Sequence, residues 1–184
     1  MARFNAASAE EAEAALLRCC ASRRWAHRVA AHRPYPDAAA LLAAADEAAY
    51  DLSPADLTEA LRAEPSARLR ADAPYAAQLA LGAAHAEYER LFGHAFVICL
   101  DGHDPRDHID VVLSGIQARL AHAVDDERAV AADELRRLAR ARLLSLAEAS
   151  ADLTDPAGDL TDPDGHLRPV SPCSPLWDSP SVPV

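Results

Sequence analysis

The sequence predicts an all-α protein, a single-domain bundle of about seven helices. Alanine is the commonest residue, and leucine, glutamate and arginine fill most of the space between alanines, a mixture that favours helix. β-branched residues are scarce and aromatic residues make up 5% of the chain, so little of it suits a sheet. Apolar residues recur three and four apart between recognisable start and stop signals. At 184 residues the chain is long enough to bury a sizeable core.

The elements follow in order. Ser8 with Glu11 is a capping box that opens a first helix, roughly 9 to 20. A second runs from about residue 22 and is stopped by Pro34 and Pro36. Asp37 caps a third, and Ser53 with Pro54 supplies N-cap and first helical position for a fourth that ends at Glu64. Pro74 opens the fifth, which Gly93 closes as a left-handed C-terminal residue. The apolar run "HAFVICLDG" has β character but no partner strand, and is expected as an extended, buried connector. "DPRDHIDVVLSGIQARLAH" holds a sixth helix and "DDERAVAADELRRLARARLLSLAEA" a seventh. The seventh turns Ala131, Leu135, Leu138, Ala139 and Leu146 to the core and its arginines outward.

Composition changes near residue 151. Residues 1–150 are expected as the helical domain and 151–184 as an acidic, proline-rich tail without fixed structure. The tail repeats "DLTDPAG" as "DLTDPDG", and two copies are too few for a solenoid.

Net charge is −11, which argues against nucleic acid and anionic lipid as partners. No 18-residue apolar run and no signal-peptide pattern occur, so a cytoplasmic, non-membrane protein is expected. All 18 basic residues are arginine, so neither a Schiff base nor a Walker A loop can form, and there is no Gly-x-Gly-x-x-Gly stretch. Cys19, Cys20, Cys99 and Cys173 show neither zinc spacing nor a disulfide framework. No cofactor and no metal are expected.

Four places could carry chemistry. The loop holding Asp101, His103, Asp104, Asp107, His108 and Asp110 is rich in metal-ligating atoms, but its spacing matches no metal motif and suits a solvated helix start. His85 shares a helical stripe with Leu81, Tyr88 and Phe92, so it is either a core histidine or a site imidazole. Cys99 reads as a buried thiol with no adjacent base. Glu64 continues the stripe of Leu57 and Leu61 and is followed by Pro65. A carboxylate there meets the negative end of the helix dipole. It is either a surface acid pairing with Arg62 or Arg68, or an acid held at a pocket mouth for proton transfer.

Several segments, in order, resemble the 2-oxo-4-hydroxy-4-carboxy-5-ureidoimidazoline (OHCU) decarboxylases. The matching residues are Phe4-Asn5, the run Cys20, Ser22 and Trp25, then Arg33-Pro34-Tyr35, Ala45-Asp46, the segment "AEYERLFGHAFVICLDG" and the closing helix, over residues 3 to 147. The resemblance implies a small all-α, commonly dimeric enzyme of urate catabolism that decarboxylates a small-molecule substrate to (S)-allantoin without a cofactor. The family's helix corresponding to residues 54 to 64 ends in His-Pro-Arg-Ile-Gly, whose histidine is catalytic. Here the run is Glu64-Pro65-Ser66-Ala67-Arg68. A Ser-x-x-Glu-Gln motif that supplies the family's carboxylate has its counterpart at Pro74 to Gln78, where only Gln78 matches. A family asparagine is His85, while Tyr88 and Glu89 remain.

Glu64 and His85 are therefore the expected proton-handling pair, with Pro65, Gln78, Val97, Ile98 and Cys99 placing the substrate. The alternatives are a non-catalytic relative that binds a purine-derived ligand or a partner protein, and an interaction module working through its acidic tail. Convergence of Glu64 and His85 on one small pocket would favour chemistry.

Overall fold

A helix begins where a side chain can satisfy the backbone N–H groups that its first turn leaves unpaired. In the computed structural model of the chain, which describes residues 1–152, Ser8 and Glu11 form the reciprocal capping box, with contacts of 3.2 and 2.9 Å. Ser22, Asp37 and Ser53 cap the next three helices through their side-chain oxygens. Gly93, at φ 73°, closes a later one in the left-handed region.

Eight helices result among the described residues: α1 (Ala2–Ala6), α2 (Ala9–Leu17), α3 (Arg23–Ala31), α4 (Ala38–Tyr50), α5 (Pro54–Ala63), α6 (Tyr75–Phe92), α7 (His108–Arg119) and α8 (Val124–Asp152). None is long and apolar enough to cross a membrane. The tail repeat, Cys173 and the expected tail boundary's far side lie outside the described residues.

The one helix the sequence does not announce is α1. Its five residues are too few to show a period, and tertiary contacts hold it. Phe4 is buried and stacks on Tyr35 with ring centroids 6.5 Å apart. The Asn5 amide donates to the Tyr35 carbonyl at 2.8 Å and accepts from its N–H at 3.0 Å. Arg33 donates to the carbonyls of Phe4 and Ala7, both at 2.8 Å, and so adds to the Ala7 N–H bond to the Arg3 carbonyl that closes this helix. Trp25, also buried, donates its indole N–H to the Ala45 carbonyl at 2.9 Å. The residues that carry the resemblance in this half of the chain thus act as structural clasps. Asn5→Ala is expected to lower unfolding free energy by about 1–3 kcal/mol, because the Tyr35 backbone groups lose both partners. A urea denaturation midpoint measures it.

Two apolar clusters fill the interior. The larger draws on α1 to α5 and on Ala131, Leu135, Ala139 and Leu143 of α8. The smaller joins Leu81, Ala84 and Tyr88 of α6 to Val112 and Ile116 of α7 and to Phe96. The connector after α6 has no ladder partner among the described residues, and extended backbone sends successive side chains to opposite sides. Phe96 and Ile98 accordingly pack with the smaller cluster and Val97 with the larger. Gly115 of α7 lets this happen at close range, since a Cβ there would meet the Ile98 side chain at 3.1 Å.

Candidate functional site

Pro65 disfavours helical backbone at the residue before it, so α5 stops at Ala63 and Glu64 turns extended at φ −76°, ψ 136°. That turn carries the Glu64 side chain inward, where it is 6% exposed. Its two oxygens accept from the two terminal nitrogens of Arg142 on α8, at 2.7 and 2.8 Å. Neither Arg62 nor Arg68 pairs with it. Arg142 Nη1 also donates to the Cys19 carbonyl at 3.0 Å, so the guanidinium is fixed from two directions. The Glu64 carboxylate and its hydrogen bonds hold the Arg142 pKa above the ordinary value. Charge pairing with α8 therefore replaces the unfavourable meeting with the α5 dipole.

Glu64, Pro65, Val97, Ile98, Leu138 and Arg142 line a cleft of about 440 Å³. A second groove of about 250 Å³ is lined by His85, Gln78, Leu81 and Arg70. Ala67 and Arg68 belong to both, so one short stretch of extended chain is the wall between them. The structure thus brings Glu64 together with Pro65, Val97 and Ile98, and places His85 with Gln78 on the other side of that wall. Glu64 and His85 share no hydrogen bond: Glu64 is committed to Arg142, and the buried His85 Nε2 has no partner.

His85 sits 6.1 Å from the Phe96 ring, and burial lowers its pKa below 6.5, against a smaller upward pull from Glu89. Gln78 is exposed and donates to the Ala73 carbonyl at 2.9 Å, closing the turn before α6. Cys99 is buried and lines neither cavity; its backbone N–H donates to Glu134 at 2.7 Å, which anchors the connector to α8. Among the described residues no three His, Cys, Asp or Glu side chains are grouped to hold a metal, the 101–110 loop included.

Two sets of residues were invisible to sequence reasoning. Arg142 is one, since nothing local marks it among the arginines of α8. The other lies behind the connector. Glu127 is fully buried and accepts from the nearly buried Arg119 at 2.9 Å, from the Tyr88 hydroxyl, and sits 2.9 Å from His122 Nδ1. Arg119 reaches on to the Val97 carbonyl at 2.7 Å and lies over the Phe96 ring, 4.6 Å from its centroid. Ala67 N–H donates to the Phe96 carbonyl at 2.8 Å. The connector behind the cleft is therefore held by hydrogen bonds to its backbone at Phe96, Val97 and Cys99 as well as by its side-chain packing.

Among solved structures, the fold is similar to that of an (S)-allantoin synthase, with a TM-score of 0.61 and 20% identity over 78% of this chain. The chain spans about half, 52%, of that protein's length. It is also similar to an OHCU decarboxylase crystallised in the presence of (S)-allantoin, with a TM-score of 0.64 and 18% identity over 77% of this chain and 99% of that one. No curated protein matches the chain. The OHCU decarboxylase family model matches residues 5–74 and 66–144, the two stretches overlapping just beyond Glu64-Pro65. On that span the chain belongs to the OHCU decarboxylase family.

Proposed function

We propose that this chain catalyses the cofactor-independent decarboxylation of OHCU, or of a related small heterocyclic carboxylate, to (S)-allantoin or its counterpart in urate catabolism. The observation that carries the reading is the cleft of Glu64, Pro65, Val97, Ile98 and Arg142 in a chain of this family. Its volume of about 440 Å³ suits a one-ring substrate with substituents.

The reaction breaks the bond between the ring carbon and its carboxylate. Carbon dioxide leaves without the bonding electron pair, which delocalises into the ring and its oxygen and is then captured by a proton. Arg142, fixed by Glu64 and Cys19, is the cation toward which that charge develops. With both oxygens accepting from a guanidinium, Glu64 acts through Arg142. His85 is the candidate proton carrier; it lines the adjoining groove and not the cleft, so its proton has to pass through water around the Ala67–Arg68 stretch.

The test uses substrate made from urate with a uricase and a hydroxyisourate hydrolase, with (S)-allantoin followed by circular dichroism. The expected result is a rate above spontaneous decay that falls sharply in Glu64→Ala and His85→Ala. A protonated His85 donor predicts a pH dependence: the rate falls as pH rises through a value below 6.5, and the profile flattens in His85→Gln. An unchanged profile in that variant removes His85 from the reaction.

A second reading is a relative that binds a purine-derived ligand without turning it over. The Glu64–Arg142 pair favours it, because Glu64 already fills the guanidinium that a substrate anion would use. No turnover in the native chain, with activity appearing only when Glu64→His and Ala77→Glu are combined, supports this reading and overturns the first.

A further inference from the structure

The cleft offers a substrate carboxylate two cations, Arg142 and Arg68. Both terminal nitrogens of Arg142 already donate to Glu64, and Nη1 donates to the Cys19 carbonyl as well. That guanidinium is neutralised by a carboxylate of the chain itself. A second anion arriving there would meet a pair without net charge, and Glu64 would repel it. Arg68 is different. Its side chain is exposed, and among the described residues it has no hydrogen bond or ion pair.

Arg68 also stands where the parts of the site meet. It lines the cleft, the groove that holds His85, and a third hollow of about 340 Å³ shared with Arg70 and Arg106. Arg70 is held by Asp72 at 3.1 and 3.2 Å, so it brings no free charge. The exposed Arg106 lines the third hollow but not the cleft. Acids outnumber basic residues 29 to 18, so the field of the whole chain repels an anion, and an uncommitted cation at the cleft has to offset it.

We propose that Arg68 binds the carboxylate of the substrate, an assignment that rests on the decarboxylase reading above and narrows its ligand to a small ring bearing a carboxylate. The two arginines then divide the work. Arg68 meets the negative charge where it starts, on the carboxylate, and Arg142 meets it where it goes, in the ring. As carbon dioxide forms, the charge leaves the carboxylate, so the Arg68 contact is strongest before the reaction and weaker in the transition state. It supplies affinity and not rate.

Orotate and uracil share a pyrimidine ring and differ by a carboxylate, so they test the contact without turnover. Calorimetric titration of the native chain is expected to favour orotate about tenfold or more, the worth of a hydrogen bond to a charged group. In Arg68→Gln that preference is expected to vanish through loss of orotate affinity, with uracil unmoved, and Arg68→Lys restores part of it. Arg106→Gln removes an equal charge from outside the cleft and is expected to leave the preference in place. On substrate, Arg68→Gln is expected to raise KM about tenfold without lowering kcat. Its urea midpoint stays at the native value, because the side chain is exposed and without partners among the described residues. A native chain with no preference for orotate overturns the assignment, and so does a preference that persists in Arg68→Gln. An equal loss in Arg106→Gln also overturns it, since that marks the general field of the surface. Orotate binding that depends on Arg68 in a chain without turnover keeps the assignment and removes the decarboxylase reading. Turnover with the preference intact in Arg68→Gln does the reverse.

Discussion

Glu127→Ala is expected to lower the unfolding free energy by about 3–5 kcal/mol at pH 7. Glu127 is wholly out of solvent, and its oxygens are shared by Arg119, Tyr88 and His122. Removing it leaves the Arg119 guanidinium charged and buried, with only the Val97 carbonyl and the Tyr88 hydroxyl to accept from it. Arg119 cannot escape by losing its proton, as a lysine could. Glu127→Gln keeps the shape and one acceptor, and is expected to cost less. Replacing both partners, as Arg119→Met with Glu127→Leu, is expected to recover most of the loss, since the cost lies in the orphaned charge. A double-mutant cycle by denaturant unfolding measures all three.

The same carboxylate fixes the sign of a pH effect. Burial alone pushes the Glu127 pKa up, but the hydrogen bonds from Arg119 and Tyr88 and the Arg119 charge together outweigh it and hold it below 4.5. A carboxyl group whose pKa is lower in the folded chain contributes its stability in full above the unfolded value. That contribution is lost as pH falls through the folded value. Native protein is therefore expected to lose stability below pH 4.5 more steeply than Glu127→Gln. Parallel curves for the two would remove Glu127 as the source.

How much of this was written locally in the chain differs from element to element. Capping is local chemistry, so Ser8 with Glu11, Ser53 with Pro54 and Gly93 gave their helix ends directly. The inward stripe of α8 at Ala131, Leu135 and Ala139 followed from its period. The extended connector followed from β character without a partner strand. α1 did not, because five residues carry no period and its clasp, Asn5 with Tyr35, spans thirty positions.

The site was legible in part for the same reason. Pro65 marks the end of α5 and forces Glu64 out of the helix, and the Leu57–Leu61 stripe gives the inward direction. What Glu64 meets is 78 residues away, one arginine among many on α8. Glu127 was hidden more completely. It stands in the run "DDER" at the start of α8, where acids are expected for the helix dipole alone. Only the turn between α7 and α8 brings Arg119 back over it. An ion pair between different helices leaves no trace in the period of either one, and both of the pairs that matter here are of that kind.

If the proposed decarboxylation is this chain's reaction, Arg142→Ala is expected to lower its rate by a factor on the order of 10² or more, because it removes the fixed cation from the cleft. It also strips Glu64 of both its donors, so a stability loss of about 1–3 kcal/mol accompanies it. The two losses are separable. Arg142→Met with Glu64→Leu removes the charges together and is expected to regain stability without regaining turnover. Were stability the whole story, activity would return with it. Glu64→Gln cuts the other way: its amide leaves Arg142 charged and beside the cleft but no longer neutralised, free to hold a substrate anion. If the native chain is a decarboxylase in which Glu64 only orients Arg142, Glu64→Gln should raise KM and lower kcat, less severely than Glu64→Ala. If Glu64 instead blocks the cleft as a built-in anion, the same variant should gain ligand affinity over the native chain. Titration with an unreactive one-ring carboxylate such as orotate beside the rate assay distinguishes them, since the first reading has affinity falling and the second has it rising.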